Sequence, residues 1–337
     1  MVSKNSIGML RSFEINRAAT LMQQAIAKLD LKLDGLEVLT EAGTNSFIYT
    51  PLIAYFAGAS KVYVWTKKSV YGDAEHIESQ FNEILRALNV GSDIFRFAIN
   101  ERPEAHIQQA DIITNLGFIR PLDKNFLKQV KKGAVVSYMC EAWEIRSEDV
   151  DIAFCKKNNI PVAGVWENHP ELMIFNGCGA LSVKLCMEAG FEVYQNRILV
   201  VSSDKFGKTA ADSFRSLGAA DVQITDPGSL NDINLSAFDF IFVADYTFGD
   251  EIIGENIRDQ LNTNSKPAII HLCGAVNYSW LKEQEIYCYP AQQGFSSRMT
   301  KTLAHLGLKP LIDLHTAGLK VGELLFKNKN SELIQEI

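Results

Sequence analysis

Short apolar runs alternate with amphipathic stretches along most of this chain. A strand covered on both faces is apolar throughout, whereas a surface helix is apolar along one stripe, so this alternation predicts parallel β-sheets with helical crossovers. Residues 5–30 have helical character. Strands are then predicted at Glu37–Leu39, Val62–Trp65, Phe95–Ile99, Asp111–Asn115, Ala134–Tyr138 and Pro161–Val165, each bounded by Gly, Pro, Asn or charged residues. The run His169–Gly190 is apolar on every side, which predicts a helix buried between layers and a connector between domains. A second group of strands is predicted at Arg197–Val201, Asp221–Thr225, Phe240–Val243, Ala268–Leu272, Ile286–Tyr289 and Pro310–Leu314, followed by a helix from Thr316 and a polar end. The pattern therefore predicts an α/β protein of two doubly wound, Rossmann-like domains with a cleft between them. One comprises residues 1–168 plus the C-terminal helix 316–337, the other residues 169–315.

Length agrees with this division, since 337 residues exceed what one core holds, roughly 250 residues. With 47% hydrophobic and 22% charged residues the composition is that of a globular protein. The formal charge of −7 supplies no basic field, and no run of Lys or Arg exceeds two, which argues against nucleic acid and membrane surfaces as partners. The opening MVSKNSIGML has no secretory pattern and no stretch approaches the ~18 apolar residues of a membrane span, so a cytoplasmic protein is expected. Six cysteines, at 140, 155, 178, 186, 273 and 288, form no CxxC pair. They are expected to be free thiols, and no metal is expected.

Ligands of open parallel sheets bind beyond the carboxyl ends of the strands, in loops that here begin at residues 40, 66, 115, 139, 166, 202, 226, 244, 273 and 315. The segment RILVVSSDKFGKTAADSFRSLGA has the strand, tight loop and helix of a dinucleotide-binding unit. Where such a loop carries G-x-G-x-x-G, this one has Ser202, Asp204 and Gly207. Asp204 would repel a diphosphate, while Lys205, Lys208 and the helix amides would attract one. Asp226, nineteen positions after Gly207, stands where an acidic residue can grip a ribose, or it opens the DPGS turn. The cofactor candidates are therefore Ser202, Ser203, Asp204, Lys205, Phe206, Gly207 and Asp226, with Asp245 and Cys273 at neighbouring strand ends. Glu41, Thr44 and Asn45 lie at the first strand end, where Thr44 or Thr50 could equally cap a helix. Trp143, Trp166, Glu167 and His169 crowd two adjacent strand ends and could line a pocket or pack at a hinge. His271, within a strand, is expected to be a core histidine.

Several segments resemble the D-isomer-specific 2-hydroxyacid dehydrogenases. KKGAVVSYMCEAWEIRSEDVDIAFCKKNNIPVAGVWENHPELM is similar to that family's substrate-domain passage, RILVVSSDKFGKTAADSFRSLGA to its cofactor loop, and IDLHTAGLKVGELL to the segment carrying its catalytic histidine. The resemblance implies NAD or NADP as cofactor, a small 2-hydroxy or 2-oxo acid as substrate, His315 as acid/base and a homodimer paired through the cofactor domains. The substrate candidates are Arg120, which follows a strand end expected to face the cleft, with Cys140, Glu141, Trp166 and Asn168 at neighbouring strand ends. The arginine that binds substrate carboxylate in the family has no counterpart around Cys273–Ala275, and the glutamate that orients the histidine has none near YPAQQGF. The sequence thus supports two readings, an NAD(P)-dependent oxidoreductase and a catalytically degenerate dehydrogenase-like binding or partner protein. A methyltransferase built on Thr40–Asn45 is a third.

Overall fold

The computed structural model describes residues 4–261 and 267–337. Contacts divide the chain into unit 1, Met1–Ile174 with Gly307–Ile337, and unit 2, Phe175–Leu306. Six helices of seven or more residues are present among the described residues: α1 (Lys4–Lys28), α2 (Thr50–Phe56), α3 (Ala74–Ala87), α4 (Gly177–Glu188), α5 (Lys205–Ser216) and α6 (Leu308–Phe326). None is long and apolar enough to cross a membrane.

Unit 1 contains β1 (Glu37–Glu41), β2 (Lys61–Thr66), β3 (Phe95–Ile99), β4 (Ile112–Thr114), β5 (Val135–Ser137) and β6 (Val162–Val165). Unit 2 contains β7 (Arg197–Val201), β8 (Asp221–Thr225), β9 (Phe240–Ala244), β10 (Glu251–Ile253), β11 (Ala268–Cys273), β12 (Ala275–Val276) and β13 (Cys288–Tyr289), and the chain ends in unit 1 with β14 (Ile334–Glu336). The seven-stranded sheet of unit 1 has the order β14-β6-β5-β4-β1-β2-β3, parallel except for antiparallel β14. Unit 2 has a parallel five-stranded sheet, β13-β11-β9-β7-β8, and a small β10-β12 pair. Strands β4, β5, β9 and β11 are buried along their whole length, and the other inner strands at all but their first residue, because helices and loops cover both faces.

Three expectations are corrected. Pro310–Leu314 is not a strand but the start of α6. Proline is tolerated in a helix's first turn because its missing N–H would have no partner there. The whole segment from Gly307 accordingly belongs to unit 1, and the units part at 174/175 and 306/307 rather than at 168/169 and 315/316. The helix expected over His169–Gly190 is shorter. A turn with Met173 at φ 50° precedes it, and α4 begins only at Gly177. The six cysteines are free, and Cys178 and Cys186 are buried on α4 as expected.

Helix α6 lies against the sheet of unit 1 at unusually close range. A Cβ on Gly322 would stand 2.6 Å from Ile112 Cγ2, and Ser137 Oγ donates to the Gly318 carbonyl at 2.5 Å. Glu323, buried on the same helix, accepts from the Lys32 amide and from Lys320 and Lys327 at 2.8 to 3.0 Å, which ties α6 to the loop after α1. Helix propensity alone makes Gly→Ala stabilising by ~1 kcal/mol. Here Ile112 is β-branched and held in β4, so Gly322→Ala should instead destabilise unit 1 by about 1–3 kcal/mol. Urea unfolding would check the sign.

Candidate functional site

Each sheet has one point where the strand order reverses, and the crevice outside the carboxyl ends at that point is where such sheets bind ligands. It falls between β1 and β4 in unit 1 and between β7 and β9 in unit 2. The loops there carry most of the residues selected from the sequence.

In unit 2, β7 ends at Val201 and the chain turns through Ser202–Asp204 into α5. Asp204 caps that helix, its carboxylate accepting from the Phe206 amide at 2.8 Å and, across the sheet, from the Tyr246 amide at 2.6 Å. Asp245, fully buried after β9, accepts from the Ser203 amide and hydroxyl, each at 2.6 Å, and from the Thr247 and Phe248 amides at 3.0 and 2.7 Å. The Gly207 amide donates to Ser202 Oγ at 3.2 Å. Thus the amides of residues 203, 206 and 207, which in a helix-start cradle would point at an anion, are bonded to side chains of this chain. Gly207 keeps its sequence role as the point of close helix–strand packing, since a Cβ there would collide with the Cβ of Ser202.

Burial raises the Asp204 pKa, and the charge of Asp245 adds to the rise against the lowering pull of its amide bonds. Burial acts on Asp245 too, but the hydrogen bonds from Ser203, Phe248 and Thr247 outweigh it and hold its pKa below the usual carboxylate value. Two further candidates of this loop lie against aromatic rings. Lys205 Nζ lies 4.3 Å from the centre of the Phe175 ring, and Phe206 stacks on Tyr246 at 5.4 Å. Cys273 is a buried thiol whose pKa is pushed well up by burial beside two carboxylates. Asp226 is exposed and caps its own turn through the Gly228 amide at 2.8 Å.

Unit 1 repeats the arrangement with different residues. Glu41, at the end of β1 and only 4% exposed, accepts from the Phe118 amide at 2.6 Å and is also bonded by the Gly117 amide. A Cβ on Gly117 would stand 3.0 Å from Glu41 Oε2, so the loop after β4 closes over the carboxylate because that residue is glycine. Burial raises the Glu41 pKa, partly offset by the amides and by the charges of Arg120 and Lys67. Arg120 itself is bound to Asp149 at 3.0 Å, and Asp149 also accepts from Tyr138 at 3.0 Å. The other oxygen-bearing groups are engaged nearby. Asn115 accepts from the Met139 amide at 2.7 Å, and Glu141 accepts from Trp143 Nε1 and caps the turn Ala142–Glu144. Cys140 has its pKa raised by burial and by the nearby Glu144 and Glu167. Trp166 meets His169 edge-on at 5.5 Å, and Asn168 lies half-buried in the turn after β6.

His315 is inside α6 rather than at a strand end, and it packs on the loop that follows Glu41. Its Nδ1 is 2.7 Å from Thr50 Oγ1, and its ring lies 5.6 Å from that of Phe47. The Thr50 hydroxyl also reaches the Phe47 carbonyl at 3.3 Å. A hydroxyl that donates to a carbonyl accepts from its other neighbour, which assigns the proton of the neutral imidazole to Nδ1. Burial holds the His315 pKa down to about 3. The sequence reading missed Thr50 as a partner of His315 and Gly117–Phe118 as the cradle of Glu41. Neither pair is close in sequence, and the only local sign was a glycine three residues beyond the end of β4.

No family model matches the chain, and no curated protein matches it by sequence. Its fold matches that of a dipicolinate synthase subunit from Bacillus halodurans with a TM-score of 0.56 at 12% identity, over 87% of this chain and 99% of that one. A dipicolinate synthase chain from Bacillus subtilis matches with a TM-score of 0.50 at 14% identity, over 89% of this chain and 97% of that one. A more distant likeness, TM-score 0.43 at 10% identity over 90% of this chain and 98% of that one, is to the D-mandelate dehydrogenase of Rhodotorula graminis. At the level of fold the expectation read from the sequence holds: the chain has a two-unit α/β, Rossmann-like architecture.

The two buried histidines predict a pH dependence of stability. Burial depresses both, His315 to about 3 and His271 to about 4, against 6.5 when exposed. As pH falls below ~6.5 the unfolded chain takes up protons that the folded chain does not, so this contribution is complete above that pH and is lost as pH drops toward the folded values. The slope approaches ~1.4 kcal/mol per pH unit for each histidine. His315→Gln should flatten it by about one proton's worth, measured by urea unfolding at pH values of about 7.5, 6 and 5.

Proposed function

We propose that this chain is a binding or partner protein of dehydrogenase fold that has given up hydride transfer through a nicotinamide dinucleotide. The observation that carries this reading is the occupation of the cofactor-loop amides by Asp204 and Asp245. The residues present do not fit a diphosphate. Two unit charges of like sign ~4 Å apart repel by ~4 kcal/mol near a protein surface, and ~1.4 kcal/mol is a tenfold loss of affinity. One such contact alone weakens a micromolar site to roughly millimolar. The neutral, buried His315 is a second support. A group with a pKa of about 3 is far from the near-neutral value that suits proton exchange with a hydroxyl. The absence of the family's arginine and glutamate agrees.

The competing reading, an NAD(P)-dependent oxidoreductase acting on a small 2-hydroxy or 2-oxo acid, is favoured by the Thr50–His315 bond, which orients the imidazole in place of the missing glutamate. Calorimetric titration with NADH and NADPH separates the two. The wild-type chain should give no binding up to about 1 mM, and Ser202→Gly/Asp204→Gly, which frees the Phe206 and Gly207 amides and removes one charge, should improve affinity at least tenfold. Micromolar binding by the wild type would overturn the proposal and restore the oxidoreductase.

A further inference from the structure

Glu41 is held in unit 1 as a bound ligand is held. Strand β1 is secured by β2 along its length and by β4 at Val38 and Leu39, so its pairing does not require the Glu41 side chain. The carboxylate crosses instead to the loop after β4, where the Gly117 and Phe118 amides both bond to it, the second at 2.6 Å. Glycine stands on either side of the group. A Cβ on Gly117 would lie 3.0 Å from Oε2 and 3.6 Å from Oε1, and one on Gly43 would lie 3.9 Å from Oε1. Two successive amides that converge on one carboxylate, the first without a side chain, form a backbone concavity of the kind that binds anions.

The surroundings carry more donors and more positive charge than Glu41 uses. The register sets Trp65 opposite Glu41 in the neighbouring parallel strand, so both side chains stand on one face of the sheet. Trp65 is 8% exposed, and its indole N–H is buried without an acceptor. An unmet buried donor is costly, and an acceptor oxygen placed against it would relieve that cost. Lys67, 5.7 Å from the Trp65 ring centre, favours an anion here through its charge, as does Arg120 although it is bonded to Asp149 at 3.0 Å.

We infer that the Gly117–Phe118 concavity is a binding site for a small external carboxylate, and that Glu41 is its built-in competitor, an autoinhibitory contact that a ligand must displace. The tether gives the competitor a high effective concentration, so the site is closed to weak anions and opens in proportion as the Glu41 carboxylate is removed. An external carboxylate fits the same two amides and is free to turn an oxygen toward the Trp65 N–H, which the tethered group does not meet. The inference concerns unit 1 alone and holds whichever way the cofactor loop of unit 2 is read.

Glu41→Ala removes the competitor and leaves its space open. Thermal melting of the full chain is followed in sodium acetate, in sodium chloride at the same ionic strength, and in acetamide, a neutral molecule of the same size. Acetate should raise the Tm of Glu41→Ala by at least about 2 °C in a saturable way, whereas chloride and acetamide should not. Half-saturation in the wild-type chain should need at least tenfold more acetate. Glu41→Gln keeps the space filled by an amide and should give no acetate response. If Glu41→Ala does not melt cooperatively, its recovery from urea in acetate against acetamide carries the same contrast. No acetate response in Glu41→Ala, an equal response to acetamide, an equal response in Glu41→Gln, or wild-type binding as tight as the variant's overturns the inference and leaves Glu41 as a loop anchor.

Discussion

Carboxylates bound by main-chain amides at the two switch points are the constraint on which the rest of this molecule depends. An open parallel sheet leaves N–H groups pointing into the crevice where its strand order reverses, and an unmet buried N–H costs ~1–3 kcal/mol. Most such crevices leave those donors to a ligand. In unit 1 Glu41 takes the amides of Gly117 and Phe118, and in unit 2 Asp245 and Asp204 take those of Ser203, Phe206 and Tyr246. A group tethered in the same rigid sheet acts at high effective concentration, so an external anion must displace a competitor that never diffuses away. The balance differs by site. Four donors overcome burial at Asp245, whereas at Glu41 and Asp204 burial prevails.

The second constraint is the close approach of α6 to β4 and β5. Gly318 and Gly322, one turn apart, let the helix backbone nearly touch Ser137 and Ile112. That proximity sets the depth at which His315 meets Thr50 and Phe47, and depth alone accounts for its depressed pKa. Glu323 is buried on the same helix without penalty of that kind, because both of its oxygens are hydrogen-bonded and two lysines supply the opposite charge. Two titratable groups two turns apart on one helix therefore have opposite solutions to burial: one discards its charge and the other is paired.

Much of the architecture was legible in the amino-acid order, because hydrophobic period is a local property. Apolar runs of strand length located β1 to β9, β11 and β13, the helical character of residues 5–30 located α1, and the strand, tight loop and helix after Arg197 located α5. Pro310–Leu314 was misread because a short apolar run suits a strand and a buried helix equally, and only packing on β4 and β5 separates them. The two- and three-residue strands β10, β12 and β14 lack enough residues to show a period. Among candidate residues, Asp204 and Asp245 were visible as strand-end acids, and the missing glycines already pointed to an altered loop. What those acids do was decided only by the tertiary structure. The donors on Asp204 come from its own helix and from β9's loop, those on Glu41 from a loop seventy-seven residues away, and the partner of His315 lies 265 residues back. Sequence records which groups a chain carries and their local rhythm; which donor meets which acceptor is set by strand order and helix depth, and neither is a local quantity.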